Sequence, residues 1–158
     1  MKKILNVLML ILLVLSLGAY KKASTEVIEA KGQIVSLKSA NANLVYEIEN
    51  RPVKEIYELA EEIYGIEAEL LQAIEILETG WYTSTLYEAK NNTWGARVNG
   101  EYKSFDSHKQ STMELARCLR FNYLNQGLVT LTEIGNKYCP DDPEWASKVN
   151  QIYLELMQ

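Results

Sequence analysis

The sequence predicts a mostly helical α+β domain that contains one small β-hairpin. Over most of the chain after residue 52, apolar residues recur at the spacings of three and four that a helix requires. Only between Trp94 and Phe105 does the pattern change to the alternation of a strand, and Asn99-Gly100, a type I′ turn pair, lies in its middle. With 158 residues, 47% of them hydrophobic and 23% charged, the chain can bury one core, so we expect one folded domain.

The charge of the chain excludes one class of partner. Its formal net charge is -5 and its pI is about 5.0, whereas proteins that contact nucleic-acid phosphates carry clustered lysine and arginine. The sequence has no such basic cluster. We therefore expect no nucleic-acid partner, while a polymer of sugars stays compatible with this charge.

Residues 1–22 have the pattern of an export signal. Lys2 and Lys3 precede an apolar run over residues 4–20, which ends in small residues. Because a run of about 17 residues is at the short limit for spanning a bilayer, a cleaved signal peptide and a retained membrane anchor are both open. Either way we expect an exported protein, secreted or anchored in the cell envelope of a bacterium or supplied by a phage.

Residues 23–50 form a predicted spacer with a weak heptad pattern. The residues at its alternating spacings of three and four are Val27, Ala30, Ile34, Leu37, Asn41, Leu44 and Ile48. A polar residue such as Asn41 at a core position sets the register of short coiled coils, which would give self-association through residues 27–48. Because the pattern is short, a flexible stalk with some helix is an equal alternative.

The predicted domain occupies residues 51–158. Pro52 marks its start, because proline restricts the residue before it and begins a helix well. The predicted helices cover residues 53–64, 67–79, 84–90, 107–123 and 130–138, with a last helix from residue 143 onward. Gly65 and Gly80 are natural residues to end the first two.

Capping residues predict where the later helices begin. Ser107 with Gln110, and Thr130 with Glu133, have the spacing of capping boxes, and Asp142-Pro143 is a typical helix start. One apolar face of the last helix is formed by Trp145, Val149, Ile152 and Leu156.

The cysteines and the single histidine do not predict a metal or a redox site. Cys118 and Cys139 lie in the exported part, where a disulfide is permitted, but two small buried apolar residues are the favoured interpretation. His108 follows a predicted helix start, and one histidine with two distant cysteines is poor evidence for a Cys/His dyad or a zinc site. We expect no metal and no cofactor.

Glu78 is the candidate catalytic acid. It lies near the end of a predicted helix, on the edge of the apolar stripe of Leu70, Ile74 and Leu77, just before Gly80. Because burial disfavours the charged form, its pKa is expected to be raised, as a general acid requires. The alternative is a glutamate at a frayed helix end that bonds its own turn.

Motifs in a fixed order carry a resemblance to a known family. They are ETGWYTS at residues 78–84, NNTWG at 91–95, YKSFDS at 102–107 and, more loosely, YCPDDPEW at 138–145. Together they resemble the lysozyme superfamily, and more narrowly the glucosaminidases of glycoside hydrolase family 73, which include flagellar-type and autolysin peptidoglycan hydrolases. The resemblance covers residues 53–158. It departs from the family pattern where Tyr82 replaces a glycine and Thr93-Trp94 replaces Leu-Phe.

This resemblance implies a lysozyme-like fold and cleavage of the β-1,4 bond after N-acetylglucosamine in peptidoglycan, with Glu78 as proton donor. The hairpin is short, which leaves the second catalytic group open. Glu101, in the hairpin, is one candidate; the alternative is that it is only a solvent-exposed charge beside the turn. The other candidate is the N-acetyl group of the substrate, in which case the resemblance places Tyr138 beside that group.

Aromatic side chains near Glu78 are candidates to contact sugar rings, whose flat C–H faces pack on aromatic rings. Those available are Tyr82, Tyr87, Trp94 and Tyr102, of which Tyr82 and Tyr102 are the better candidates. We expect Trp81 and Trp145 to be packing residues and Asn92 to form a turn rather than to contact a ligand.

Two other functions are compatible with the same residues. A lytic transglycosylase also needs only one acid, and a non-catalytic envelope or virion component could keep the fold to bind glycan. A glutamate on the apolar stripe of a helix favours an enzyme, because burying a carboxyl costs free energy that only proton chemistry would explain.

Overall fold

The computed structural model describes the backbone of residues 2–158 and the side chains of residues 21–158. The chain divides into two compact units, Met1–Leu44 and Val45–Gln158. Most of the predicted export signal, including the apolar run over residues 4–20, lies outside the described side chains. Within the residues whose side chains are described, no helix is long and apolar enough to cross a membrane.

A single helix, α1 (Lys2–Asn50), covers the predicted spacer. Along it Val27, Ile34 and Leu37 are exposed, so the heptad positions are uncovered in this chain and self-association stays a prediction. Ile48 differs from the other heptad positions: it is only 5% exposed and belongs to the core of the second unit.

The second unit is helical apart from one hairpin, which confirms the predicted fold class. Its elements are α2 (Val53–Tyr64), α3 (Ala68–Thr79), α4 (Thr85–Lys90), β1 (Arg97–Val98), β2 (Glu101–Tyr102), α5 (His108–Asn122), a short 3-10 turn (Leu124–Gln126), α6 (Leu131–Tyr138) and α7 (Trp145–Leu156). The helix α3 is central, since it packs against α2, α5 and α7.

The helix ends follow the capping residues closely. Thr130 and Glu133 form a complete capping box at α6. At α5 the box is only half formed: the Ser107 hydroxyl accepts from the Gln110 backbone N–H, but the Gln110 side chain donates to Glu49 Oε1 at 3.1 Å. The predicted second half of that box is therefore wrong, because Glu49 offers a charged acceptor instead.

The last helix starts two residues later than Pro143, at Trp145. Asp142 accepts the backbone N–H of Glu144 through Oδ1 at 3.1 Å, which holds the turn before the helix. Trp145 and Val149 are fully buried, as their place on the predicted apolar face requires. Gly135 of α6 lies against the Trp145 ring, where a Cβ would approach Cε3 to 2.9 Å, so α6 and α7 can pack this closely only with glycine there.

The hairpin has the predicted turn. Val98 pairs with Glu101, and Asn99 and Gly100 have φ of 53° and 86°, the positive values of a type I′ turn. Asn92 is buried and holds the chain before the hairpin: its Nδ2 donates to Ala96 O and to a second carbonyl of the hairpin, and its Oδ1 accepts from the Ala96 N–H at 2.9 Å. This confirms that Asn92 is a structural residue.

The turn after α3 contradicts one expectation. Gly80, Trp81 and Tyr82 have φ of 56°, 61° and 62° in succession, so the chain reverses through the left-handed region, which costs about 1–2 kcal/mol for each non-glycine residue. The reversal turns Trp81 outward, where it is 63% exposed. The prediction that Trp81 packs in the core is wrong, whereas Trp145 does pack there.

Candidate active site

Glu78 lies at the end of α3 with one direct hydrogen-bond donor. It is half-buried, and the indole Nε1–H of Trp145 donates to its Oε1 at 2.8 Å. Burial raises the pKa of Glu78, the nearby Asp142 charge raises it further, and the Trp145 hydrogen bond partly opposes both. The carboxyl therefore keeps its proton to a higher pH than an exposed glutamate does.

A cavity of about 630 Å³ opens beside this carboxyl. Its walls come from α3, the loop before the hairpin, β2, α5 and α6, and the residues that matter chemically are Glu78, Trp94, Tyr102, Glu114, Tyr123 and Tyr138. The cavity thus combines one carboxyl whose pKa is raised with walls that are partly aromatic. Cys118 and Cys139 also line it; both thiols are unpaired, as the favoured interpretation has it, but they are half-buried in the cavity wall rather than buried in the core.

Trp94 carries an unusual donor in this cavity. Its indole Nε1 is buried and has no hydrogen-bond partner among the described residues, although a buried N–H is normally paired. Tyr138 holds Trp94 from the other side, because its hydroxyl donates to the Trp94 carbonyl at 2.9 Å. Trp94 thus lines the cavity with an indole whose buried Nε1–H has no acceptor among the described residues.

Tyr138 packs between the candidate acid and the core. Its ring centroid lies 5.0 Å from that of Trp145, and burial, together with the Glu78 charge, raises the pKa of its hydroxyl far above the usual value. The hydroxyl proton is given to Trp94, so only the oxygen lone pairs face other partners. The role of Tyr138 toward an N-acetyl group stays a prediction.

Glu101 and Tyr102 are neighbours in β2 with different surroundings. Tyr102 lines the cavity, and the Arg97 guanidinium lies 3.9 Å above its ring. Glu101 is exposed, pairs with Val98 across the hairpin, and is not part of the cavity wall. The structure therefore brings Tyr102 to Glu78 but not Glu101.

The family follows from the comparison with known proteins. The sequence profile of the family Glucosaminidase, described as mannosyl-glycoprotein endo-beta-N-acetylglucosaminidase, matches residues 54–158, which is nearly all of the second unit. The chain belongs to the glucosaminidase family. This confirms the resemblance seen in the motifs, and with it the class of glycoside hydrolases.

Relatives and a solved structure agree with this assignment. Two proteins named "Putative endo-beta-N-acetylglucosaminidase", from Streptococcus pneumoniae serotype 4 strain TIGR4 and from strain R6, are each 27% identical to this chain over an alignment of 139 positions, which covers 81% of this chain. The chain spans only 20% and 19% of their lengths. A C-terminally truncated glycoside hydrolase domain of Salmonella typhimurium FlgJ has the same fold, with a TM-score of 0.53, 19% identity, and coverage of 66% of this chain and 93% of that domain.

Glu114 is the residue of this glucosaminidase domain that the sequence analysis missed. It lines the same cavity as Glu78, from α5, and both its oxygens accept from the Arg117 guanidinium at 2.8 Å. These hydrogen bonds lower the pKa of Glu114, aided by Lys103 at 3.8 Å. The cavity thus holds one carboxyl with a raised pKa and one with a lowered pKa. An acid three residues before an arginine is too common on helix surfaces to have indicated this.

Tyr82 lies in a different cavity from the one predicted. Its hydroxyl is 3.2 Å from that of Tyr57, and its ring packs 5.4 Å from Tyr87. These residues surround Glu75, not Glu78. The positive φ of Tyr82 directs the side chain to this side of α3, which spacing alone did not show.

Proposed function

We propose that this glucosaminidase domain hydrolyses the glycan strand of peptidoglycan at the β-1,4 bond after N-acetylglucosamine, with Glu78 as general acid. One observation carries the proposal: a carboxyl with a raised pKa faces an aromatic-lined cavity large enough for sugar rings. Family membership supports the reaction class. The peptidoglycan substrate, the bond and the acid are the inferences.

The geometry supports a defined place for the proton. Because Glu78 Oε1 accepts from Trp145, the neutral carboxyl carries its hydrogen on Oε2. A glycosidic oxygen becomes a good leaving group only when it is protonated as the oxocarbenium-like state develops, and Oε2–H supplies that proton. Burial in an apolar wall keeps the proton on the carboxyl until this step.

Two groups of the cavity suit an N-acetylated sugar. The Tyr102 ring, which lines the cavity together with Arg97, is a platform for the C–H face of a sugar. The unpartnered Nε1–H of Trp94 suits the carbonyl oxygen of an acetamido group. Both fit a substrate that is apolar on its ring faces and carries amide acceptors at its edge.

For the second half of the reaction we favour the acetamido oxygen of the substrate as nucleophile, because Glu101 does not reach the cavity. A specific observation also favours Glu114, which lines the same cavity as Glu78 and is held as an anion by Arg117. An ionised carboxylate in this position could activate the water that completes hydrolysis. Separate variants of these groups distinguish the two mechanisms, as given in the Discussion.

The experiment uses the full chain and purified peptidoglycan. Wild-type protein is expected to lower the turbidity of a wall suspension and to release fragments with a new reducing N-acetylglucosamine end, as mass spectrometry would show. Glu78→Gln should release none, while the exposed variant Glu62→Gln on α2 serves as the matched control. Fragments with anhydro ends would indicate a lytic transglycosylase, and binding without release by wild type would indicate a glycan-binding component.

We also propose an exported location, because the proposed substrate lies outside the cytoplasmic membrane. Cell fractionation, with N-terminal sequencing of the protein found outside, tests this. A start shortly after residue 20 indicates a cleaved signal, an intact Met1 in the membrane fraction indicates an anchor, and protein confined to the cytoplasm contradicts the proposal.

A further inference from the structure

A second cavity, of about 500 Å³, lies beside the same helix and is not used by the reaction proposed for Glu78. At its inner end is Glu75 of α3, which is only 1% exposed. Tyr57 donates its hydroxyl to Glu75 Oε2 at 2.7 Å, and the Tyr82 hydroxyl stands 3.2 Å behind that of Tyr57. One oxygen of the carboxyl is thus fixed by a chain of phenols.

The other oxygen, Glu75 Oε1, is buried and has no hydrogen-bond partner among the described residues. The nearby hydroxyl of Thr112 donates to the His108 carbonyl at 3.1 Å, and that of Thr93 pairs with Ser111 at 2.9 Å. Both hydroxyls therefore have other partners, and neither hydrogen-bonds Glu75 Oε1. A buried carboxyl oxygen that faces a cavity without a donor calls for a donor from a ligand.

The outer end of the cavity has the opposite charge. Lys54 of α2, which is exposed, and Lys109 of α5 line it, together with His108. Lys109 is held in place because its Nζ donates to the Glu49 carbonyl at 2.7 Å. Between the two ends the wall is formed by apolar side chains and by the rings of Tyr57 and Tyr87.

We propose that this cavity binds a small zwitterion, an amino acid or a short peptide, with its ammonium on Glu75 Oε1 and its carboxylate toward Lys54 and Lys109. A simple cation would be repelled by the lysines, and a simple anion would be repelled by Glu75. A zwitterion satisfies both ends, and its ammonium also gains from the tyrosine rings. A free amino acid and the peptide part of peptidoglycan share this chemistry, and only the second source rests on the function proposed above.

The charge of Glu75 gives the proposal a pH signature. Burial raises the pKa of Glu75 to about 7, and the nearby hydroxyls of Thr93, Tyr57 and Thr112 partly oppose this rise, although among the described residues only Tyr57 hydrogen-bonds the carboxyl. The ionised form, which an ammonium requires, therefore grows about tenfold between pH 5.5 and pH 7. The other titratable groups facing the cavity are Lys54, Tyr57, Tyr82, Tyr87, His108 and Lys109, so the Glu75 variant must be measured over the same range.

The experiment follows D-alanyl-D-alanine binding to the full-length protein by ligand-observed NMR. Wild type is expected to bind this dipeptide about tenfold more tightly at pH 7 than at pH 5.5, a range over which the α-ammonium of the dipeptide, with a pKa of about 8, stays mostly protonated. N-acetyl-D-alanyl-D-alanine, which lacks the ammonium, and D-alanyl-D-alaninamide, which lacks the carboxylate, should both bind at least several-fold more weakly. Tighter binding of the dipeptide than of D-alanine supports a peptide source, and the reverse supports a free amino acid.

Variants separate this site from the Glu78 cavity. Glu75→Gln should weaken dipeptide binding about tenfold or more at pH 7 and remove its pH dependence, and Lys54→Gln, on an exposed side chain that the fold does not need, should weaken it about threefold. Glu78→Gln should leave dipeptide binding unchanged, so loss of wall cleavage and loss of this site are distinguishable. Equal binding of the N-acetyl form, equal competition by N-acetylglucosamine, or wild-type binding by both Glu75→Gln and Lys54→Gln would overturn the proposal.

Discussion

Two glutamates three residues apart on α3 have different surroundings. Glu75 is fully buried and bonded to a tyrosine, whereas Glu78 is half-buried at the helix end and bonded to a tryptophan. Burial raises the pKa of both. The comparison teaches that a raised pKa does not by itself identify a catalytic acid; the cavity that the proton can enter, and the groups that line it, decide what the carboxyl can do.

The largest expected effect concerns Glu78. Glu78→Gln should lower wall cleavage by at least about three orders of magnitude, because the amide keeps the shape but cannot donate the proton. Its melting temperature should not fall, since the variant removes a carboxyl from a partly apolar site. Turbidity assays and thermal unfolding measure the two effects. A clearly active Glu78→Gln enzyme would refute the assignment of the acid to this cavity.

The next effect identifies the second group in the Glu78 cavity. If the acetamido oxygen is the nucleophile, Glu101→Gln and Glu114→Gln should be nearly silent, and Tyr138→Phe should lower kcat about ten- to a hundredfold by releasing Trp94. If Glu114 activates water, its loss should lower kcat by about two to four orders of magnitude.

The control for Glu114 is Arg117→Met, which breaks the same ion pair but keeps the carboxylate. It should raise the pKa of Glu114 and move the acidic limb of the pH–rate profile upward if Glu114 is the base. Equal and pH-independent losses in Glu114→Gln and Arg117→Met would instead mean that the pair is structural. A dead Glu101→Gln would contradict both mechanisms favoured here.

Glu75 should appear in stability rather than in cleavage. Its folded pKa of about 7 lies above the unfolded value of about 4.5, so the folded state binds more protons between these values and stability falls as pH rises through that window. Above pH 7 the ionised Glu75 should cost about 3 kcal/mol, which Glu75→Gln removes. Denaturant unfolding at pH 5 and pH 8 should show that the free energy of unfolding of Glu75→Gln exceeds that of wild type by an amount that grows with pH. An advantage that is constant with pH would show that Glu75 is not titrating.

A smaller effect is expected from Trp145, whose indole N–H bonds Glu78 and not Glu75. Trp145→Phe keeps much of the ring but removes the N–H that stabilises the Glu78 anion, so the pKa of Glu78 should rise further. The basic limb of the pH–rate profile should therefore move to higher pH, by about one unit, while the acidic limb stays in place. A shift to lower pH would mean that the indole acts mainly by excluding water.

The smallest effect concerns the strained turn that separates the two cavities. Trp81→Gly should raise the free energy of unfolding by about 0.5 kcal/mol, because glycine adopts positive φ without the steric cost and the exposed ring contributes little packing. Trp81→Ala is the matched control, since it loses the ring but keeps the strain, and it should not be stabilised. Urea titration of both variants distinguishes strain from packing.

The sequence predicted those elements that local chemistry determines. Glycine after α2 and α3, Thr130 at α6 and Asn99-Gly100 in the hairpin each act within a few residues of their own position, so their positions were predicted closely. The raised pKa of Glu78 was predicted because its stripe of apolar neighbours is visible in the spacing. The capping box at α5 was only half predicted, because the Gln110 side chain donates to the distant Glu49 instead.

The remaining features depend on contacts that spacing does not show. Glu75 is buried because α2 packs against α3 and places Tyr57 over its carboxyl. The spacing of residues within α3 does not show this contact. Tyr82 was predicted for the wrong cavity because consecutive non-glycine residues with positive φ are rare. Glu114 meets Lys103 only once the hairpin is folded against α5. Each of these needs the tertiary arrangement rather than a local pattern.

The bond from Trp145 to Glu78 joins residues 67 positions apart in sequence. During synthesis, α3 and its carboxyl leave the ribosome well before α7 does. A nascent chain therefore carries Glu78 without its indole partner and without the packing that raises its pKa. The proposed proton donor therefore gains its indole partner only once α7 has docked on α3.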